Sequence, residues 1–212
     1  MIHFLYAEHL GQHPKLRDGM FRDRAEQFKT RLNWDVTVTA SGHEIDQYDG
    51  LNPLYAIWEN ADGGHGGSMR FLPTIGQTMV NDHFSEIIGG VRIESALIWE
   101  STRFCISPSA SEAAGEIAAA LMIAGCEIGL QFGLSDWVGV FDPRMVRIYR
   151  RIGWEPTLLG EKGQGRDRIG VGLWAISDAA QSRMCRAAGM TRDRPKTWFD
   201  AAFPHSDPAR AA

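Results

Sequence analysis

The 212-residue chain contains only three cysteines, Cys105, Cys126 and Cys185. Their odd number and wide spacing support neither a disulfide framework nor a C-x-x-C site, and they fit thiols kept reduced in the cytoplasm. Positive charge is also scarce. The formal net charge is −4, so no overall attraction to nucleic acid is expected. The opening MIHFLYAEHL lacks the basic and apolar regions of a signal peptide. No run is read as approaching the roughly 20 apolar residues of a membrane span. The seven histidines are scattered, and the close pair His9 and His13 is interrupted by Gly11 and followed by Pro14. A metal centre is therefore not expected. Repeats and low-complexity tracts are lacking too. What remains is an ordinary globular composition, 44% hydrophobic and 23% charged, long enough for one well-cored domain.

Hydrophobic periodicity predicts a strand at 2–7 and a helix from Lys15 to Leu32, in which Met20, Arg24 and Phe28 share a stripe. Leu54–Trp58 and Gly67–Leu72 read as a hairpin closed by ENADGGHGG. A strand follows at 96–106. Ser109-x-x-Glu112 reads as a capping box opening a long helix with the stripe Ala113, Ile117, Leu121, Ala124 and Ile128. Further strands are predicted at Leu134–Val140, Glu155–Leu159 and Ile169–Ile176, with helices at 143–151 and 178–189 and a loop at 160–168. Hairpins followed by strand–helix–strand crossovers argue for one α/β domain, a mixed α+β sheet with helices on both faces. Residues 1–190 are read as that domain and 191–212 as a loosely packed C-terminal tail.

One strand is chemically odd. ESTRFCIS, residues 100–107, places Glu100 and Arg103 in an apolar run, where a buried charge costs several kcal/mol (about 3–5 when its partner is missing) unless paired. Flat alternation would point the two apart, and a β-bulge near Ser101 or Thr102 would re-aim one of them. Cys105 beside them reads as a small buried thiol rather than a nucleophile.

These residues carry a resemblance. ESTRFCIS, R-x-x-x-F at Arg24 and Phe28, Trp34, D-x-x-D at Asp46 and Asp49, GSMRFLPT at 67–74, HF ending at Phe84 and RIGW at 151–154 occur in the order found in the LuxI-like acyl-homoserine-lactone synthases. The match spans residues from about 5 to about 175. It implies a fold like that of the GCN5-related N-acetyltransferases, and a synthase that acylates the amine of S-adenosylmethionine from an acyl thioester of acyl-carrier protein or CoA. The methionyl carboxylate then closes a lactone and methylthioadenosine leaves. S-adenosylmethionine is thus a substrate, and no cofactor is expected.

On that resemblance Glu100 is the expected proton acceptor, with Arg103 and Arg24 as cationic donors. Phe28, Trp34 and Phe84 are expected around the sulfonium and adenine, and Asp46 at the substrate. Asp49 and Arg70 are expected to lock an N-terminal lid. Met122, Trp137, Gly139, Val140 and Met145 are read as acyl-pocket walls. Gly139 falls where relatives making 3-oxo products often carry Thr, so an unsubstituted or 3-hydroxy chain is expected, medium to long because the missing side chain widens the pocket. Arg144, Arg147 and Arg151, with Arg150 adjacent, form a basic stripe that could dock an acidic carrier protein. The rivals are an acetyl-CoA-dependent N-acetyltransferase and a member that binds without catalysis. SPSASEAAGE lacks the Gly-rich pyrophosphate turn of the former, and the intact Glu100 and Arg103 argue against the latter.

Overall fold

A computed structural model describes residues 1–165 and 168–204. Seven strands form one sheet in the order β1-β2-β3-β4-β5-β7-β6: β1 Ile2–Tyr6, β2 Leu54–Glu59, β3 His65–Pro73, β4 Ile98–Ile106, β5 Asp136–Phe141, β6 Thr157–Lys162 and β7 Ile169–Ala175. Every neighbouring pair is antiparallel except β4 and β5. The expected hairpin is β2–β3, with Leu54 opposite Phe71. Alternation along β2 divides the interior in two. Leu54 and Ala56 pack into the main core under helix α3, Ala114–Gln131, whereas Tyr55 and Ile57 join Leu16, Met20 and Phe21 of helix α1, Pro14–Ala25. One face of the sheet is thus covered by α3 and the other by α1.

Several expectations change here. The first helix becomes a wider π-type turn over Glu26–Arg31 instead of continuing as regular α-helix to Leu32. The Ser109/Glu112 capping box does not form. Residues Pro108–Ala113 make a 3-10 turn ahead of α3, and the Ser109 hydroxyl bonds that of Ser107 instead. The strand expected at Glu155–Leu159 is β6, shifted into the predicted loop. The helix Pro108–Gln131 is, by length and composition, apolar enough to cross a membrane, contrary to the reading above. In the fold it is the central core helix, with Ile117, Leu121, Ala124 and Ile128 fully buried.

The tail is also more ordered than expected. After helices α4, Val146–Ile152, and α5, Asp178–Ala188, the chain forms α6, Asp193–Ala202, whose Trp198 and Phe199 enter the core beside Phe4 and Phe132. Residues 205–212 of the predicted tail lie outside the described residues.

Candidate active site

Two backbone irregularities in β4 build the site. The ladder to β5 pairs Ile98, Trp99 and Glu100 with Asp136, Trp137 and Val138 and then ends, although both strands continue. Glu100 is therefore the last paired residue before a fork. On the other side the β3 register slips between Ser68 and Arg70, so that Arg103 and Phe104 together oppose Met69. A bulge of the kind that would re-aim one of the charges is thus present, at Arg103 and not at Ser101 or Thr102, and Arg103 adopts φ 52°, a left-handed conformation unusual for a side chain of that size. The extra residue puts Arg103 on the α1 side of the sheet with Glu100 and Thr102, while Trp99, Phe104 and Ile106 pack into the α3 core.

Arg103 completes a closed ring of alternating charges. Arg24 donates to Glu44 at 2.6 Å and to both oxygens of Asp49 at 2.9 Å. Arg70 bridges Asp49 at 2.8 Å and Asp46 at 2.5 Å. Arg103 joins Asp46 at 2.7 Å and returns to Glu44 at 2.8 Å. Each guanidinium also lies over an aromatic ring: Arg24 over Phe21, Arg70 over Tyr48 and Arg103 over Phe28. Burial opposes the Arg24 charge, but hydrogen bonds and charge from Asp49, with the charge of Glu44, more than offset it and raise its pKa. Burial likewise opposes the Asp49 carboxylate, yet Arg24 and Arg70 hold it well below the usual carboxylate range.

The ring revises two assignments. Arg24 is fully buried with Nε, Nη1 and Nη2 all committed to carboxylates, so it is not available to a substrate carboxylate. It instead ties α1 to the 44–49 segment. Asp46 accepts from Arg70 and Arg103 and caps the 3-10 turn Gln47–Leu51, so it too is consumed by structure. Asp49 and Arg70 pair at 2.8 Å, which ties the turn Gln47–Leu51 to β3, and Asp49 links both to Arg24 of α1. Arg103 is the exception among the three arginines, because its Nη1 bonds only the soft Sδ of Met79, at 3.3 Å, a weak acceptor that a substrate oxygen can replace.

Glu100 stands outside the ring. It is completely buried, and its carboxylate accepts from the backbone N–H groups of Met79 at 3.0 Å and Val80 at 2.6 Å, the start of helix α2, Met79–His83. Burial raises its pKa, the two N–H bonds and the nearby Arg70 and Arg103 lower it, and burial dominates, leaving it at about 7. A carboxylate poised there can accept a proton near neutral pH. Burial pushes the neighbouring Cys105 thiol up to about 12, so it carries almost no thiolate at neutral pH, consistent with a packing role.

Of the three aromatics, Phe28 and Trp34 stack at 5.1 Å with ring planes 12° apart, Phe28 buried and Trp34 exposed. Phe84 is not part of that stack. It packs with Val80, Val138 and Val171 in a separate cluster. The acyl-pocket residues are divided as well. Trp137, Gly139 and Met122 lie on the α3 side, while Val140 faces the Val80 cluster. Trp137 is a core residue with its indole N–H bonded to the Gly125 carbonyl. Gly139 opens no space either, for a Cβ there would lie 3.3 Å from the Trp174 ring. Met145 is half-buried in the turn before α4.

The basic stripe is partly neutralised. Arg144 pairs with Asp142 in the turn Pro143–Met145, ahead of α4, and Arg150 pairs with Glu155 at 2.7 Å. Arg147 and Arg151 are exposed and have no ion-pair partner among the described residues.

Sequence reasoning missed Glu44, Tyr48 and Met79. A signal for Glu44 exists. In HEID, residues 43–46, two acids two residues apart in an extended segment point the same way, and Glu44 and Asp46 indeed both meet Arg103.

The profile of the autoinducer synthase family matches residues 8–184. An acyl-homoserine-lactone synthase of Rhizobium etli is 36% identical over 191 residues, covering 88% of this chain and 89% of that protein. Among solved structures, the AHL synthase LasI superposes with a TM-score of 0.77 at 26% identity, over 87% of this chain and 93% of its own. A CoA-dependent acyl-homoserine lactone synthase, BjaI, solved with SAM and isopentyl-CoA, gives 0.78 at 22% identity over 90% of each chain. The sheet is that of the GCN5-related N-acetyltransferase-like acyltransferases.

Proposed function

The chain belongs to the autoinducer synthase family, and on that premise we propose how its own residues make an N-acyl-homoserine lactone from S-adenosylmethionine and an acyl thioester. The observation that carries the assignment is Glu100, buried at the fork between β4 and β5 with a pKa near neutrality. The acyl thioester enters the fork. Glu100 takes the proton of the adenosylmethionine ammonium, directly or through one water, and the freed amine attacks the thioester carbonyl. The new N–C bond replaces the C–S bond, and the thiol leaves. The methionyl carboxylate then attacks its own γ-carbon, forming the lactone C–O bond as the C–S bond to sulfur breaks and methylthioadenosine departs.

Arg103 supplies the cationic donor for the methionyl carboxylate, exchanging the Met79 sulfur for an oxygen. The ring fixes Arg103 and leaves only the Nη1 edge outside its carboxylate bonds. The exposed Trp34, backed by Phe28, offers an aromatic face to the sulfonium or adenine, while Phe28 itself is held between Trp34 and Arg103. Expression in a host lacking such lactones, with mass spectrometry of the medium, tests this reading. An N-acyl-homoserine lactone is the expected product, and none from well-expressed, folded protein contradicts it.

Both acyl-carrier protein and acyl-CoA suit the fork as donors. Arg147 and Arg151, exposed on α4 near the end of β5, favour an acidic carrier protein, with electrostatic steering of its approach. Charge reversal at both is expected to raise KM for the carrier-bound donor, less so at high salt, where screening shortens to about 3 Å at 1 M. Unchanged kinetics with the carrier, or a clear preference for acyl-CoA that the reversals leave untouched, would remove the docking role. The three buried, unpaired cysteines fit a reducing compartment, and we place the enzyme in the cytoplasm.

A further inference from the structure

The core face of β5 and β7 has a gap in its side chains. Across this antiparallel pair Gly139 lies opposite Gly172 and Phe141 opposite Gly170, so three of four adjacent positions carry no side chain. Aromatic rings cover much of the gap, with Pro156 against Gly172 and Leu158 against Gly170. The Trp174 ring lies over Gly139, with Cζ3 3.3 Å from where its Cβ would be, and the edge of Phe141 lies 3.1 Å from the corresponding points of Gly170 and Gly172. Tyr149 of α4 meets both edge-on, 5.1 Å from Trp174 and 5.8 Å from Phe141, and the two indole and phenyl rings are 5.4 Å apart. These contacts hold Trp174 in place.

An acyl chain delivered at the fork has few apolar directions open to it. The α1 side of β4 is occupied by the charged ring. On the opposite faces of β5 and β7, Val138, Val140, Val171 and Leu173 are packed against Val80 and Phe84. The glycine gap, one residue beyond the Glu100–Val138 pair, is the apolar stretch that β5 and β7 leave without side chains of their own, and the Trp174 ring stands in it, with the Ser101 carbonyl 3.1 Å from the Gly139 Cβ position.

Resting on the synthase reading above, we propose that Trp174, braced by Phe141 and Tyr149, is the specificity residue that sets acyl-chain length, and that it restricts this chain to short acyl groups. The ring lies only about 3.3 Å along β5 from the last paired residue, one strand rise, so a long chain meets it at once. This reverses the medium-to-long preference expected from Gly139 alone. The glycine does remove a side chain, but a tryptophan from the neighbouring strand fills the place.

The test is a ladder of thioesters from butyryl to dodecanoyl, offered to wild type, Trp174→Leu, Trp174→Ala and Gly139→Ala, with kcat/KM read from methylthioadenosine release. Wild type is expected to prefer the short end. The Trp174 variants are expected to raise the dodecanoyl-to-butyryl ratio by about tenfold or more, the scale of discrimination over a methylene in an apolar pocket. Gly139→Ala, which presses a methyl toward the ring and the Ser101 carbonyl, is expected to move the ratio the other way. It keeps the test decisive if both Trp174 variants fail to fold. A wild type that takes dodecanoyl best, or an unchanged ratio in any folded, active variant, overturns the proposal. No methylthioadenosine from wild type with any thioester overturns the synthase reading itself, and this inference with it.

Discussion

Glu100→Gln is expected to lower the acylation rate by about 10²–10⁴, the usual contribution of a positioned general base. The substitution keeps the size of the side chain and one acceptor oxygen for the Met79 or Val80 N–H groups, but it cannot take a proton. The pH profile separates this role from a structural one. Burial raises the Glu100 pKa to about 7, so the wild-type rate is expected to climb as pH rises through that value and the carboxyl ionises. In the glutamine variant that limb is expected to disappear. Turnover near wild type, or a retained limb at the same pH in folded protein, would make Glu100 a strut for α2 only.

The second large effect is on stability. Asp49 accepts from Arg24, Arg70, Tyr55 and the Asp46 backbone, with its side chain almost fully enclosed. Asp49→Ala leaves two buried guanidinium groups short of a partner, and the expected loss is about 3–5 kcal/mol in denaturant unfolding at neutral pH. The same residue makes the fold sensitive to acid. Its folded-state pKa is depressed, so its contribution is complete above the unfolded value of about 3.9 and is lost as pH falls below it toward the folded pKa. The wild type is therefore expected to lose stability below about pH 4 more steeply than the alanine variant. A loss under about 1 kcal/mol, the scale of an exposed ion pair, would show that the ring is not a closed network in solution.

Periodicity made the frame legible because burial follows alternation directly. Leu54 and Ala56 against Tyr55 and Ile57 separate two clusters, and the α3 stripe is buried where its spacing puts it. Elements decided by competing local bonds or by long-range contact were not readable. Ser109 and Glu112 have a capping-box spacing, but Pro108 starts a 3-10 turn and Ser107 claims the Ser109 hydroxyl. Trp198 and Phe199 look like tail residues until Phe4 and Phe132 supply their partners. In the site, the charged residues were visible as an anomaly in β4. Their division into a saturated ring and an isolated Glu100 depends on the bulge at Arg103 and on Glu44, 59 residues earlier in the chain. Gly139 shows the limit most plainly. Its lack of a side chain was evident, whereas the ring that replaces it comes from a strand 35 residues away (174 − 139).

The central claim is that one active site acylates the amine of adenosylmethionine and then closes the lactone. Purified protein incubated with S-adenosylmethionine and an acyl thioester tests it most directly, by quantifying methylthioadenosine, free thiol and lactone together. Equal amounts of all three, each requiring both substrates, are the result this account predicts. Thiol release onto a simple amine without methylthioadenosine would instead identify an ordinary N-acyltransferase and contradict it.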